Sequence, residues 1–191
     1  MVLYTGRLDP EKAMDVWLRA AGRVAAASDA QFIVGGQGAD RPRLERMAKE
    51  LGLGRRVHFI GYLDAEAYTD LYRLADVYCI TAPVELQSIS TLEALASGLP
   101  VVAVQAGALP ELVHDACNGY LVPPEDWRAA GDAVLRLLRD PATRVEMGER
   151  SRQLAHDHDV EHSVDRYERL LLAARAEKGE RRVERAPASG Y

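Results

Sequence analysis

The chain has 191 residues, 48% of them hydrophobic and 28% charged, with a net charge of -5. That is the composition of a globular protein with enough chain for a substantial core in one domain. It excludes wholesale nucleic-acid binding, so any anion site has to be built from a few placed cations. The two cysteines, Cys79 and Cys117, make neither a disulfide framework nor a metal-binding CxxC, and read as buried free thiols in a reducing cytoplasm. No apolar run approaches the ~18 residues of a membrane span, and no signal peptide is expected.

Short apolar runs alternate with longer amphipathic ones. Strands are predicted at 1–6 (MVLYTG), 30–36 (AQFIVGG), 57–63 (VHFIGYL), 76–80 (DVYCI), 100–104 (PVVAV) and 119–122 (GYLV), each rich in Val, Ile, Phe or Tyr. Between them the apolar spacing is helical. The first helix is expected to start at Pro10, which suits a first turn, and the second, over 41–53, to end at Gly52. The third is capped by Asp64 and the fourth by Ser88 or Ser90, and a fifth follows the last strand over 125–140. Beyond residue 141 two further helices are expected, at 141–158 and 160–178, and 176–191 reads as a flexible tail after a domain over 1–175. The alternation of strand and helix predicts an α/β fold, a doubly wound, Rossmann-like parallel sheet covered on both faces. Its ligand crevice would lie at the carboxyl ends of the strands.

The residues at those ends carry the chemistry. In TGRLDPEK, Gly6 and Arg7 close the first strand and Lys12 follows in the first helical turn. Two cations beside a helix N-terminus suit a diphosphate, although Asp9 and Glu11 are alternative partners for them. VGGQG (34–38) is either a tight turn or a place where backbone passes a ligand closely. Ile60 and Tyr62 flank Gly61 and could border a nucleobase. Glu85 lies in the loop after the fourth strand, and Glu93 in the first or second turn of the next helix. An ionised carboxylate accepts two neighbouring hydroxyls, so two of them around a cationic centre suit a ligand with a phosphate middle and a hydroxylated group at each end. For Glu93 the alternative is a helix N-terminal charge partner. The histidine pair in HDHD (156–159) points to different helix faces, and no metal site is expected. Trp17, Trp127 and most tyrosines read as packing between helix and sheet.

In order along the chain to about residue 172, the stretches GRLDPEK, VHFIGYLDAEAYTDLYRLADVYCI, ELQSISTLEALASGLPVVA and GALPELV…NGYLVPPED resemble the nucleotide-binding, C-terminal half of a retaining glycosyltransferase of the GT-B fold, family 4. The resemblance implies that Arg7 and Lys12 bind the donor diphosphate and neutralise the leaving phosphate. It implies that Glu85 binds hydroxyls of the transferred sugar, that Gln87, Ser88, Ile89 and Ser90 meet phosphate and sugar, and that Glu93 binds the ribose. Gly6 would be a further donor-binding residue, and Ile60 and Tyr62 would border the base. The catalytic group is then Arg7, Lys12 and Glu85, with no metal and no cofactor beyond the nucleotide-diphosphate sugar itself.

Three departures from the family pattern stand out. Leu86, Gln87 and Ser88 replace a common glycine and aromatic, Ala106-Gly107-Ala108 replaces a double glycine, and the N-terminal Rossmann-like acceptor domain of the family is expected to lie outside these 191 residues. The isolated chain is therefore expected to be inactive, in the cytoplasm or at the inner face of a membrane, with any peripheral membrane contact made through the missing half. The alternatives are a non-catalytic nucleotide-sugar-binding module and a nucleotide-sugar epimerase of the same fold.

Overall fold

The computed structural model describes residues 1–184, with side chains to residue 175. In chain order the elements are β1 (Val2–Thr5), a 3-10 turn (Pro10–Lys12), α1 (Met14–Ala25), β2 (Phe32–Gly35), α2 (Arg41–Glu50), β3 (Val57–Gly61), α3 (Ala65–Leu74), β4 (Val77–Ile80), α4 (Ile89–Ala96), β5 (Val101–Val104), α5 (Leu109–Leu112), β6 (Gly119–Val122), α6 (Trp127–Arg139), α7 (Pro141–His156) and α8 (Val160–Glu184). They form two units, Met1–Ala155 and a second that begins at His156.

All six expected strands form, and they pair in parallel in the order β3-β2-β1-β4-β5-β6. Every residue of β1, β4 and β5 is buried, which is why these segments are continuously apolar rather than alternating. The connections run outward in opposite directions from β1 and β4. Right-handed crossovers then put α1 and α4 on opposite faces. On one face α1 packs against α2 and α6, and on the other α4 packs against α5. Met14, Trp17, Leu18, Ala21 and Val24 form the buried stripe of α1. The Trp17 indole donates to the Cys79 carbonyl over 3.0 Å and meets the rings of Tyr4 and Phe32 edge-on at 6.2 and 6.0 Å, the preferred geometry for aromatic pairs.

Three expectations change, and one short helix is new. The helix predicted from Pro10 is interrupted: Pro10–Lys12 makes a 3-10 turn, and Ala13, in the left-handed region at φ 47°, separates it from α1. The Thr81 hydroxyl donates to the Ala13 carbonyl over 3.1 Å and holds this break against the end of β4. Helix α5 has four residues, too few for periodicity to reveal. The tail expected from residue 176 is helical to Glu184, because Glu, Arg and Lys are good helix formers and Gly179 is a tolerable single interruption; residues 185–191 lie outside the described residues. Cys117 is exposed in the turn before β6, while Cys79 is buried.

Tyr4, Tyr72 and Tyr78 are almost fully buried, and burial raises all three hydroxyls well above the ordinary tyrosine range. It also pushes the Cys79 thiol up to about 12. An acid whose pKa is raised by folding stabilises the fold below its unfolded pKa and loses that contribution as pH climbs above it. Stability should therefore fall steeply above pH ~10, by about 1.4 kcal/mol per tyrosine per pH unit. Chemical denaturation followed by circular dichroism between pH 8 and 11 measures the slope. Tyr78→Phe should make it shallower by one tyrosine's share, and an unchanged slope would refute this account.

Candidate functional site

Strands β1 and β4 are neighbours whose following loops depart to opposite faces, and that divergence opens a crevice at their carboxyl ends. A cavity of about 560 Å³ lies there, lined by Thr5, Gly6, Arg7 and Lys12 from the β1 side, Glu85 to Ser90 and Glu93 from the β4 side, and Tyr68 from α3. A second cavity of about 370 Å³ shares Gly6, Arg7 and Tyr68 with the first and continues past Gly35, Gly36, Gln37, Gly61 and Tyr62.

The break at Ala13 returns Lys12 toward the crevice, where its ammonium meets Glu85 Oε1 at 2.7 Å; both side chains are 13% exposed. Lys12 is thus neither in the first turn of α1 nor paired with a carboxylate of its own loop. Arg7 is different: its side chain is 68% exposed and pairs with Asp9 at 2.5 Å and Glu11 at 2.9 Å, the solvated arrangement that the sequence left open. The cavity wall therefore carries two cations, Arg7 and Lys12, against three carboxylates, Glu11, Glu85 and Glu93. Exposed ion pairs such as those of Arg7 contribute about 0–1 kcal/mol, so an incoming phosphate can take over the guanidinium at little cost. The Lys12–Glu85 pair is the more sheltered contact.

Glu85 is fixed from behind. Its carbonyl accepts from the Ala108 amide at 2.8 Å, and Gly107, at φ 56°, passes so close that a Cβ there would lie 2.5 Å from the Glu85 carbonyl oxygen. The Ala-Gly-Ala departure thus keeps its glycine at the position where both the positive φ and the contact demand one. Leu86, the next residue, is 94% exposed.

Glu93 sits in the second turn of α4. Its Oε2 accepts from Tyr68 at 3.1 Å and Tyr72 at 3.0 Å. The Tyr72 hydroxyl also lies 2.6 Å from Thr5 Oγ1 and 3.1 Å from the Ser90 carbonyl oxygen, and Tyr78 links the Thr5 carbonyl to Ser90 Oγ at 3.1 and 2.9 Å. Burial raises the Tyr68 hydroxyl as well, so these groups stay protonated donors at neutral pH. From the sequence most tyrosines read as packing, and the structure gives Tyr68 and Tyr72 a polar contact with Glu93 instead. Tyr68 and Tyr72 stand at i and i+4 on α3, facing the same way, and that spacing was the available signal.

The remaining candidates divide. Gln87, Ser88, Ile89 and Ser90 all line the first cavity. Ser88 is the N-cap of α4 but, at φ 49°, makes no side-chain cap bond; its hydroxyl instead meets Thr91 Oγ1 at 2.7 Å. Among the described residues no acceptor takes the amides of Ile89 and Ser90, the free donors of a helix start. Tyr62 borders the second cavity and is 82% exposed. Ile60, on β3, lines neither cavity. In VGGQG the closest neighbour is backbone: a Cβ on Gly36 would fall 1.9 Å from the Gly6 carbonyl oxygen, and the Gly6 amide donates to Gly35. The run locks the β2 loop onto the loop after β1 and also lines the second cavity. Among the described residues no three His, Cys, Asp or Glu side chains gather as metal ligands, and no helix is long and apolar enough to cross a membrane.

Comparison with known proteins adds the family. The family described as Glycosyl transferases group 1 matches residues 1–154. The chain is similar to the alpha-D-kanosaminyltransferase of Streptomyces kanamyceticus, at 32% identity over 155 residues, covering 81% of this chain and 40% of that protein. It is also similar to the D-inositol 3-phosphate glycosyltransferase of Mycolicibacterium smegmatis, at 34% identity over 182 residues, covering 92% and 42%. The chain thus spans about two fifths of the length of these curated relatives. Among solved structures it resembles the C-terminal domain of the glycosyl transferase group 1 family protein LpcC from Francisella tularensis, with a TM-score of 0.74 and 28% identity over 81% of this chain and 83% of that one. With its doubly wound sheet and a family match through nearly all of its first unit, the chain belongs to the glycosyl transferases group 1 family.

Proposed function

We propose that this chain is the donor half of a retaining glycosyltransferase and that it binds a nucleotide-diphosphate sugar in the crevice between the β1 and β4 loops. The convergence of Arg7, Lys12, Glu85 and Glu93 on one cavity at the sheet's switch point carries this reading. The family membership and the transferases to which the chain is similar support it.

In this reading the diphosphate sits against Arg7, Lys12 and the free amides at the start of α4. Glu85 accepts hydroxyls of the transferred sugar, Glu93 those of the ribose, and the base extends into the second cavity past Tyr62. As the bond to the sugar breaks, negative charge grows on the departing phosphate while the sugar becomes oxocarbenium-like. Cations already in place interact more strongly with that developing charge than with the intact donor, and such differential binding accelerates the step. Arg7 and Lys12 supply this charge without a metal. The acceptor is bound by a partner half outside these 191 residues, so the isolated chain binds donor without turnover. Unbridged Cys79 and Cys117 suit a reducing compartment, and the reading places the protein in the cytoplasm.

The Lys12–Glu85 pair gives the reading a signature of opposite signs. A bare nucleoside diphosphate meets Lys12 beside a carboxylate that it cannot use, whereas a nucleotide sugar gives Glu85 hydroxyls to bind. Glu85→Gln should therefore bind UDP, GDP or ADP more tightly than the unaltered chain, and the corresponding nucleotide sugar at least about threefold more weakly. Titration calorimetry with each pair measures both shifts, and movement of both affinities in one direction would remove Glu85 from the sugar site. Arg7→Ala and Lys12→Ala should each weaken diphosphate binding about tenfold or more; unchanged affinity in both would sink the phosphate assignment. Gly107→Ala, which forces its Cβ against the Glu85 carbonyl, should weaken nucleotide-sugar binding while leaving the bare diphosphate within about twofold. Equal loss on both ligands would show that the contact does not act through Glu85.

A further inference from the structure

We propose that Tyr68 is a second ribose contact, reading one of the two ribose hydroxyls beside Glu93, and that Tyr72 is a positioning residue that holds Glu93 and Tyr68 in place. The inference rests on the reading of Glu93 as a ribose acceptor.

The argument is one of hydrogen-bond capacity. A carboxylate oxygen offers about two lone-pair directions. Both of those on Glu93 Oε2 are engaged, by Tyr68 at 3.1 Å and Tyr72 at 3.0 Å. Among the described residues no donor reaches Oε1, and Glu93 lines the cavity. The side-by-side grip that gives each hydroxyl of a diol its own carboxylate oxygen is therefore closed at Oε2. One ribose hydroxyl goes to Oε1, and the neighbouring one needs another polar atom. Tyr68 supplies it: its hydroxyl gives its proton to Glu93 and, with the Tyr72 hydroxyl 3.3 Å away as its other neighbour, keeps a lone pair for a hydroxyl donor. Tyr68 is half-buried and lines both cavities, at the junction where a ribose would lie between base and diphosphate.

Tyr72 has the complementary character. At 2% exposed it lines neither cavity, and its hydroxyl ties α3 to β1 through Thr5 and to α4 through Ser90 and Glu93. The Ser90 carbonyl and the Glu93 carboxylate only accept, so the single Tyr72 proton serves that pair and the Thr5 hydroxyl, 2.6 Å away, donates to Tyr72. Its ring also packs edge-on against Tyr68 at 5.3 Å. Removing the hydroxyl frees Glu93 to turn and leaves its ring contact with Tyr68 intact.

The test uses the 191-residue chain and whichever of UDP, GDP and ADP it binds most tightly, together with the 2′-deoxy and 3′-deoxy forms of that nucleotide. The unaltered chain should bind each deoxy form about three- to tenfold more weakly than the ribonucleotide. In Tyr68→Phe the penalty for one deoxy form should disappear and the other persist. Persistence of both penalties would overturn the assignment of Tyr68. Tyr72→Phe should shrink the ribose-to-deoxy ratio. Weakening of all three ligands by one common factor would mark Tyr72 as merely structural and overturn its positioning role. Glu93→Gln separates the layers: if it leaves both penalties untouched, the ribose reading of Glu93 fails, whatever the tyrosine variants do. If none of the three nucleotides binds, that reading and this proposal fall together.

Discussion

The reversal of strand order between β1 and β4 is the constraint on which the rest of the molecule depends. Two adjacent parallel strands send their chains to opposite faces, so nothing in the sheet fills the space above their carboxyl ends. The crevice is a product of topology before any side chain is chosen. The residues then set its character: a short 3-10 turn and a left-handed Ala13 fold Lys12 across the gap, and Glu85 meets it from the other side. The Thr81 bond to the Ala13 carbonyl and the Thr5–Tyr72–Ser90 contacts join the same two loops from below. The crevice is thus cross-braced at its floor while its mouth stays open.

Charge in the site is balanced rather than accumulated. Counted from the sequence, Arg7 and Lys12 make a cationic centre, yet in the folded chain each already has a carboxylate partner. This balance suits a ligand that is itself mixed, anionic in the middle and hydroxylated at both ends. In the proposed reading such a ligand would exchange partners with the protein, phosphate for the carboxylates around Arg7 and Lys12 and a hydroxyl for Lys12 at Glu85. A simple anion satisfies one half of that exchange. The degree of shelter then ranks the steps, with exposed Arg7 released easily and the Lys12–Glu85 contact less so.

Much of this was legible in the sequence because its signals are local. Central strands buried on both faces are continuously apolar, and the order in which cations and carboxylates follow strands β1 and β4 places them in one crevice. Asp64 caps α3 through the Ala67 amide, as its residue type suggested. What was not legible depends on contacts between distant segments. The break at Ala13 is stabilised by Thr81, the demand for glycine at 107 comes from the backbone of Glu85, and the role of the tyrosines comes from α4 lying beside α3. The exposure of Cys117 likewise follows from a turn whose shape the cysteine does not dictate. Ile60 illustrates the limit from the other side, since it lies within β3 while the second cavity is lined by the residues that follow it, Gly61 and Tyr62.

The clamp of Gly107 on Glu85 has a consequence for how this loop can change. The backbone is held at Glu85 by a contact and a hydrogen bond, and again at Ser88, where α4 begins. Between these anchors, Leu86 and Gln87 are exposed at the rim of the first cavity. The two side chains can be exchanged with little effect on the position of the carboxylate before them or the helix after them. The segment behaves as an interchangeable insert in a fixed mount, and the lining of the cavity can change there through substitutions that cost the fold almost nothing.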